Sequence, residues 1–327
     1  MVKSFVFVGD TAVGQALAIN LVAAGFEAAA DVGAADVILT FCASQSATED
    51  VYFETGGLIQ QAKKNAYLID LGATSPTLAK ELIAVALVND LHAIDAPLYV
   101  NDIVAPDTFA RRANLSMFVG GQRDDFDALK ALLEALARSV VYCGAAGAGQ
   151  MAKALLSLQN TAEVLSLVEA YALCRESACD VAAVFAAART DGALAPRSVA
   201  LYEAVVQRNF SGGYTLRMLM AELVAALSAA DDVDLILPQA EAAVHLIDLL
   251  AMIGGGDMNP AALSLVYAEE AECAKHGLDW TRAEEAYAQG CDCDCEDDDC
   301  DCGCDHDHDG EAGEGEFPRG FGGYSAN

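Results

Sequence analysis

Lys3–Val8 is a short apolar run stopped by Gly9, and the next apolar positions, Val13, Ala16, Leu17, Leu21 and Ala24, recur at helical spacing until Gly25. The pattern predicts a strand, a tight turn and a helix. Asp36–Cys42 and Ala66–Leu71 read as buried strands, and Leu58, Ile59 and Ala62 share one side of a helix before the second of them. Ser75-Pro76 is a cap followed by proline at the first helical position, opening a helix that runs to Val85. Leu91–Leu98 and Leu115–Val119 predict further strands, and Asp124–Ala137 an amphipathic helix. Strands that alternate with helices predict a mostly parallel sheet.

After Val140–Cys143 the period changes. From Gly147 to about Cys179 there is no proline and the helical pattern is sustained, long enough for one spine helix. Further helices are predicted over Val181–Ala188, Ser198–Gln207, Thr215–Ala229, Leu237–Ile253 and Ala261–His276. From Gly290 the composition turns to Cys, Asp, Glu, Gly and His, too polar to bury a core. The expectation is three parts: an α/β domain over 1–143, an all-α domain over 144–290, and a disordered acidic tail over 291–327.

With 327 residues and 54% hydrophobic content, the chain can build two domain cores. The net charge of −31 argues against nucleic acid or an anionic membrane as partner. It is unevenly spread: 13 of the 49 acidic residues lie in 291–316, and Arg319 is the only base beyond Gly290. Cys42, Cys143, Cys174, Cys179 and Cys273 are scattered without framework spacing. They read as small buried residues of a reducing cytoplasm. Asp10 interrupts the apolar N-terminal stretch, so a strand and turn explain it better than a signal peptide. No uncharged run of 18 apolar residues occurs, and no transmembrane helix is expected.

The turn after the first strand reads Gly9-Asp10-Thr11-Ala12-Val13-Gly14. A dinucleotide fingerprint is Gly-x-Gly-x-x-Gly, for a tight turn, close approach of backbone to pyrophosphate, and close helix–strand packing. The first and third glycines are present and Thr11 replaces the second, although a helix N-terminus still attracts an anion. Asp31, 17 residues after Gly14, stands near where an acid would bind a ribose hydroxyl. The same glycines would serve a βα turn that binds nothing.

The order of segments resembles the β-hydroxyacid dehydrogenase family, which includes 3-hydroxyisobutyrate dehydrogenase, tartronate semialdehyde reductase and 6-phosphogluconate dehydrogenase. The resemblance is carried by the N-terminal turn with Ala18–Gly25, Gly56-Gly57-Leu58, Ile69-Asp70, Thr74-Ser75-Pro76, Asp95-Ala96-Pro97 and Val119-Gly120-Gly121. Its most specific stretch is Gly144–Lys153, and weaker similarity reaches about Tyr287. It implies a Rossmann-like parallel-sheet domain followed by an all-α domain, NAD or NADP as cofactor, and a homodimer formed by the helical halves.

Lys153 takes the place of the family lysine that exchanges a proton with the substrate hydroxyl while hydride moves to or from nicotinamide. A partly desolvated lysine near a helix N-terminus suits that work. Ser157 replaces the family asparagine one turn later, and Asn160 is the alternative orienting group. The resemblance also implies a cofactor site at Gly9, Thr11, Val13, Gly14, Asp31, Cys42 and Ala73, and a substrate wall at Tyr99, Asn101 and Gly149. Tyr99-Val100-Asn101 stands where the family has Ser-Gly-Gly, in a segment several residues longer. The family's downstream Leu-Met-x-Lys-Asp is Leu219-Met220-Ala221-Glu222 here, so a second active-site lysine is absent. Only about ten residues separate Gly25 from Asp36, room for one short strand, Phe26–Ala30, where the family builds its adenosine site.

The tail packs Cys291, Cys293, Cys295, Cys300, Cys302, Cys304, His306 and His308 into 18 residues. Cys-x-Cys and His-x-His pairs are bidentate donors for zinc, nickel or copper, in a spacing unlike that of a zinc finger. A plain solvating tail is the other reading. His92, His245 and His276 stand apart and read as structural or solvated; Asp231-Asp232 and Glu284-Glu285 read as helix starts and solvated faces. Two functions remain open: hydride transfer to or from a small hydroxyacid or alcohol with Lys153 moving the proton, or a noncatalytic relative that carries metal on its tail.

Overall fold

A computed structural model describes residues 2–289. The first half is a sheet built from β1 (Ser4–Gly9), β2 (Glu27–Ala28), β3 (Val37–Phe41), β4 (Tyr67–Asp70), β5 (His92–Asp95), β6 (Leu98–Val100), β7 (Leu115–Gly121) and β8 (Ser139–Gly144). Its order is β2-β1-β3-β4-β5-β7-β6, with β8 on β7; β2, β1, β3, β4 and β5 run parallel. The connecting helices are α1 (Thr11–Ala23), α2 (Gln45–Phe53), α3 (Leu58–Gln61), α4 (Pro76–Val88) and α5 (Arg123–Leu136). They cover both faces, which is why β3 and β4 are near-continuous apolar runs. Ile38, Leu68, Tyr52, Leu78 and Leu82 fill one side. Leu39, Ile69, Leu17, Leu21 and Leu129 belong to the larger core that continues into the helical half.

The run Leu91–Leu98, expected as one strand, is broken by Ala96-Pro97. Proline has no N–H for the ladder, and the amides on either side turn to β4 instead: Ala96 N donates to Asp70 O at 2.8 Å and Leu98 N to Leu71 O at 3.0 Å. β5 and β6 then pair one after the other, antiparallel, along β7.

The sheet is short at its other edge. β2 pairs through Ser4–Glu27 and Phe5–Ala28 only, and the turn at Asp31–Ala34 leads straight back into β3. Asp36 pins that return. Its carboxylate accepts from Lys3 N at 2.8 Å and Ser4 N at 3.1 Å and pairs with Lys63 Nζ at 2.7 Å, and the lysine contact holds its pKa well below the usual carboxylate range.

The second half is helical. α6 (Ala148–Glu176) is the expected spine, and α7 (Val181–Thr190), α8 (Pro196–Val206), α9 (Leu216–Asp231) and α10 (Pro238–Leu250) pack around it. α10 ends in a wide turn over Ala251–Gly255, where Gly254 has a φ of 111°, open to glycine and costly for other residues. The helix expected over Ala261–His276 is two pieces: a tight 3₁₀ run, Pro260–Tyr267, and α11 (Glu270–Lys275), separated by extended Ala268 and Glu269. α12 (Thr281–Gln289) closes the described chain.

Three further readings are corrected. Asp231-Asp232 stands at the C-terminal end of α9, not at a helix start. Cys143 and Cys179 are exposed and only Cys273 is buried, because β8 is half exposed and Cys179 follows the end of α6. α2 was missed because it is polar, and its Ser44 cap, accepting from Ala47 N at 3.1 Å, was its clearest signal. His92 and His276 are structural: His92 pairs with Asp125 at 2.7 Å and stacks on Tyr67, and His276 meets Phe210 edge-on.

Candidate active site

α6 is fixed to the sheet by groups far away in sequence. The Asp95 carboxylate, at the end of β5, accepts from Gly147 N at 2.8 Å and Gln150 N at 2.9 Å, and so caps the spine helix. Burial raises its pKa to about 6, against the pull of those amides. Gln150 then ties the helix to β4: its Nε2 donates to Gly72 O at 2.9 Å and its Oε1 accepts from Thr74 N at 3.1 Å. Asp70 sits in the same network with Gly72 N and Thr74 Oγ1, and burial pushes its carboxyl up to about 7. Gly149 is where the helix touches the sheet. A Cβ there would lie 2.4 Å from Phe118 O and 2.8 Å from Asp95 O. Its place is against the backbone rather than on the substrate wall expected from the sequence.

This anchorage presents one face of α6 to α9. Lys153, Ser157 and Asn160 lie at i, i+4 and i+7, on one stripe of the helix, and all three are buried. Lys153 Nζ is 2.6 Å from Glu222 Oε1, and Ser157 Oγ donates to Glu222 Oε2, also at 2.6 Å. Burial lowers the proton affinity of Lys153 and the Glu222 carboxylate opposes that. Asn160 Oδ1 accepts from the Tyr99 hydroxyl at 3.0 Å, and the Tyr99 ring lies 5.5 Å from Lys153 Nζ. Arg197, from α8, donates to the same hydroxyl, lies over the Tyr99 ring at 5.2 Å, and gives its Nε to Asn101 O at 3.1 Å. The Asn101 side chain is spent on Asn114 O and Ser116 Oγ.

Lys153, Ser157, Asn160 and Tyr99 thus come together, with Asn101 behind them. The sequence reading did not place Glu222, Arg197 or Tyr214 in the site. Tyr214 is buried, and its hydroxyl lies beside Glu222 without a well-formed hydrogen bond among the described residues. Glu222 had a signal, since a carboxylate replaced an expected lysine. Arg197 and Tyr214 had none, because only the packing of α8 and of the approach to α9 brings them in.

The expected cofactor residues lie at the end of β1 and in the segments that follow β1, β2, β3 and β4. Gly9 has a φ of +112° and its missing Cβ would strike Phe41 O, and Gly14 lies close on Phe7. These are the turn and packing a dinucleotide cradle needs. Thr11 is exposed; Val13 points into the core and offers only its amide. The amides of Ala12 and Val13, where a phosphate would bind, are capped by Asp10 Oδ1 at 2.8 and 3.0 Å. Cys42, just past β3, is half-buried, its thiol pushed up to about 11 by burial and by Asp70. Ala73 lies in the loop after β4, and Asp31 accepts from Ala34 N at 2.9 Å in the turn beyond β2. The glycines and the helix N-terminus fit the phosphates of NAD or NADP; the Asp10 carboxylate has to turn aside for them. The loop 101–114, longer than expected, is folded: Phe109 packs edge-on against Phe41, and Asn20 Nδ2 donates to Ala110 O at 3.3 Å.

Residues 18–144 match the NAD binding domain of 6-phosphogluconate dehydrogenase. An uncharacterized oxidoreductase of Bacillus subtilis (strain 168), YkwC, is 31% identical over 227 residues, 67% of this chain and 75% of that one. The chain belongs to the β-hydroxyacid dehydrogenase family. It is an oxidoreductase, and the reading of a noncatalytic metal carrier is set aside. The mitochondrial 3-hydroxyisobutyrate dehydrogenase of Mus musculus is 37% identical over 139 residues, 41% of this chain and 40% of that protein. Among solved structures, a Mycobacterium tuberculosis 3-hydroxyisobutyrate dehydrogenase with L-serine superimposes with a TM-score of 0.68 at 20% identity, covering 82% of this chain and all of that one. That likeness speaks for the fold of this dehydrogenase. Among its described residues no single helix is long and apolar enough to cross a membrane, and no three His, Cys, Asp or Glu side chains gather as a metal site. The eight tail ligands, Cys291 to His308, lie outside the described residues.

Proposed function

We propose that this dehydrogenase interconverts a small hydroxyacid or alcohol and its carbonyl compound, with Lys153 as the residue that moves the proton. The observation that carries the reading is the Lys153 side-chain nitrogen, buried near the start of α6 and paired with Glu222. Bound NAD(P) supplies the hydride acceptor or donor. In the oxidative direction Lys153 would start as the neutral amine: with the cofactor bound to take the hydride, the hydroxyl proton would pass to the Nζ lone pair as the C=O bond forms, leaving the ammonium paired with Glu222. In reduction, Lys153 gives that proton back to the developing alkoxide. Asn160 and Ser157 orient the site, Asn160 through Tyr99 and Ser157 through Glu222. Gly9 and Gly14 shape the phosphate turn. Replacing Lys153 with alanine is expected to lower kcat by about 10³-fold and leave the NADH dissociation constant unchanged. Steady-state kinetics and a calorimetric titration read the two quantities, and undiminished turnover overturns the assignment.

Three further parts belong to this reading. The division at 143/144 separates a cofactor half from a helical half, which limited proteolysis would cut there. The helical halves pair two copies, a role suited to Leu155 and Leu173, exposed on α6; sedimentation of the L155E/L173E variant as the wild-type species would count against it. The location is the cytoplasm, whose reducing conditions suit the five free cysteines. The tail thiols and imidazoles bind a soft or borderline cation such as zinc, nickel or copper(I), favoured by the repeated Cys-x-Cys spacing. A zinc titration of the full chain against a chain ending at Gly290 tests it, and equal stoichiometry for both refutes it.

A further inference from the structure

The two sides of β1 are built to different heights. On one side β3, β4 and β5 rise to the level of the glycine turn: Gly9 pairs with Phe41, Thr40 with Asp70, and Asp70 with Asp95. Cys42 and the Gly72-Ala73 loop follow the ends of β3 and β4, and Asp95 at the end of β5 caps α6, the helix that carries Lys153.

On the other side β2 stops short. Its last ladder partner is Phe5, four residues before Gly9. At about 3.3 Å per residue, β2 ends about 13 Å below the turn. The return is tied down at the same low level. Val37 opens β3 opposite Phe5 again, and Asp36 accepts from the amides of Lys3 and Ser4. Lys63 Nζ donates to Ala34 O at 2.9 Å and to Asp36 Oδ1 at 2.7 Å, which holds the connection near the amino ends of the strands.

A dinucleotide lies outside the carboxyl ends of the strands, and the acid after the second strand holds its adenosine ribose. Here that acid, Asp31, accepts from Ala34 N within the return turn, and no residue of 27–34 is buried. Ala29 and Val32 pack inward on the core. Residues 27–36 offer no aromatic ring to stack on adenine and no lysine or arginine. The phosphates have their turn, but the wall for adenosine is missing among the described residues.

From this we infer that the protein holds its cofactor by the nicotinamide, the attached ribose and the adjoining phosphate, so that reduced nicotinamide mononucleotide binds nearly as tightly as NADH. A part of a ligand that meets no wall adds little to affinity, and its removal costs little. The inference rests on the reading that NAD(P) supplies the hydride acceptor or donor.

The test is a calorimetric titration of the full-length protein with NADH and with reduced nicotinamide mononucleotide at pH 8. Both then carry about two negative charges on phosphate, and they differ by adenosine and one phosphate. The two dissociation constants are expected to agree within about threefold, and millimolar adenosine is expected to leave NADH binding unchanged. NADH binding more than about tenfold tighter than the mononucleotide overturns the inference, as does displacement of NADH by adenosine. Failure of the underlying reading looks different: neither nicotinamide nucleotide binds, and the inference falls with it.

Discussion

Of the helices of this protein that begin at a carboxylate, α6 and α1 put that carboxylate to different uses. Asp95 reaches the start of α6 from a strand more than fifty residues earlier, is buried, and joins the sheet to the spine helix through two amides. Asp10 precedes α1 directly, is exposed, and closes the two amides of its own helix on which a phosphate would sit. The electrostatics are the same, a negative charge at the positive end of a helix. At α6 the charge seats the helix that carries Lys153. At α1 it occupies the amides that the proposed phosphate site would use. The surroundings follow the same division: the start of α6 is knitted by Gln150, Asp70, Glu222 and Tyr99, whereas the sheet beside α1 stops at a two-residue strand.

The strongest way to break the comparison is the loss of Lys153, which is expected to abolish chemistry while leaving the phosphate end intact. A variant that lost both together would show that the two ends are not separable. Next in size is Gly149→Ala. Its Cβ would enter the backbone of Phe118 and Asp95, neither of which can move far without lifting α6 from the sheet. A loss of about 3 kcal/mol is expected, read as a lowered midpoint in chemical denaturation. A change within about 0.5 kcal/mol would mean that α6 is not seated as closely as the geometry states.

Protonation sharpens the same contrast. Asp70 is raised to about 7 and Asp95 to about 6, in each case first by burial. A carboxyl raised in the folded state keeps its proton after the unfolded chain has lost it. The unfolded state therefore binds fewer protons between the ordinary carboxyl range and pH 7, and stability falls as pH rises through that window. The stabilising contribution is complete below about pH 4 and gone above about pH 7. Asp70→Asn removes one titrating group, so its melting temperature is expected to gain on the wild type as pH climbs from 4.5 to 7.5. A constant difference across that range would refute the buried network.

The catalytic end was legible in sequence chiefly as a string of positions on one helix. Lys153, Ser157 and Asn160 lie a turn apart, and helical periodicity alone puts them on one face. Tyr99 and Asn101 could be named because the Asp95-Ala96-Pro97 stretch fixes where the strand ends. What closes the site comes from α8 and α9, whose place depends on tertiary packing that no local pattern encodes, so Arg197 and Tyr214 were invisible. The backbone contact at Gly149 was hidden for a related reason: a glycine required by close backbone approach and one required by a ligand look alike in sequence. The shortened sheet edge, by contrast, was legible as a chain length, since about ten residues cannot build two strands and a helix. Asp10 stood in plain view within the glycine turn, but its capping bonds depend on a side-chain rotamer.

The smallest expected effect lies at that residue and tests the comparison most directly. If Asp10 competes with phosphate for the amides of Ala12 and Val13, then a side chain that caps without charge should give way more readily. Asp10→Ser keeps a capping oxygen, so the helix should lose little stability. It also removes a negative charge from beside the pyrophosphate, and the dissociation constant for NADH is expected to fall by about fivefold at low salt. Because the effect is exposed and electrostatic, the gain should shrink in 0.5 M salt, where screening acts within a few ångströms. A calorimetric titration at two salt concentrations reads both. Unchanged or weakened NADH binding in Asp10→Ser would mean that the carboxylate helps to hold the turn for the cofactor. The two helix starts would then be alike in building the site.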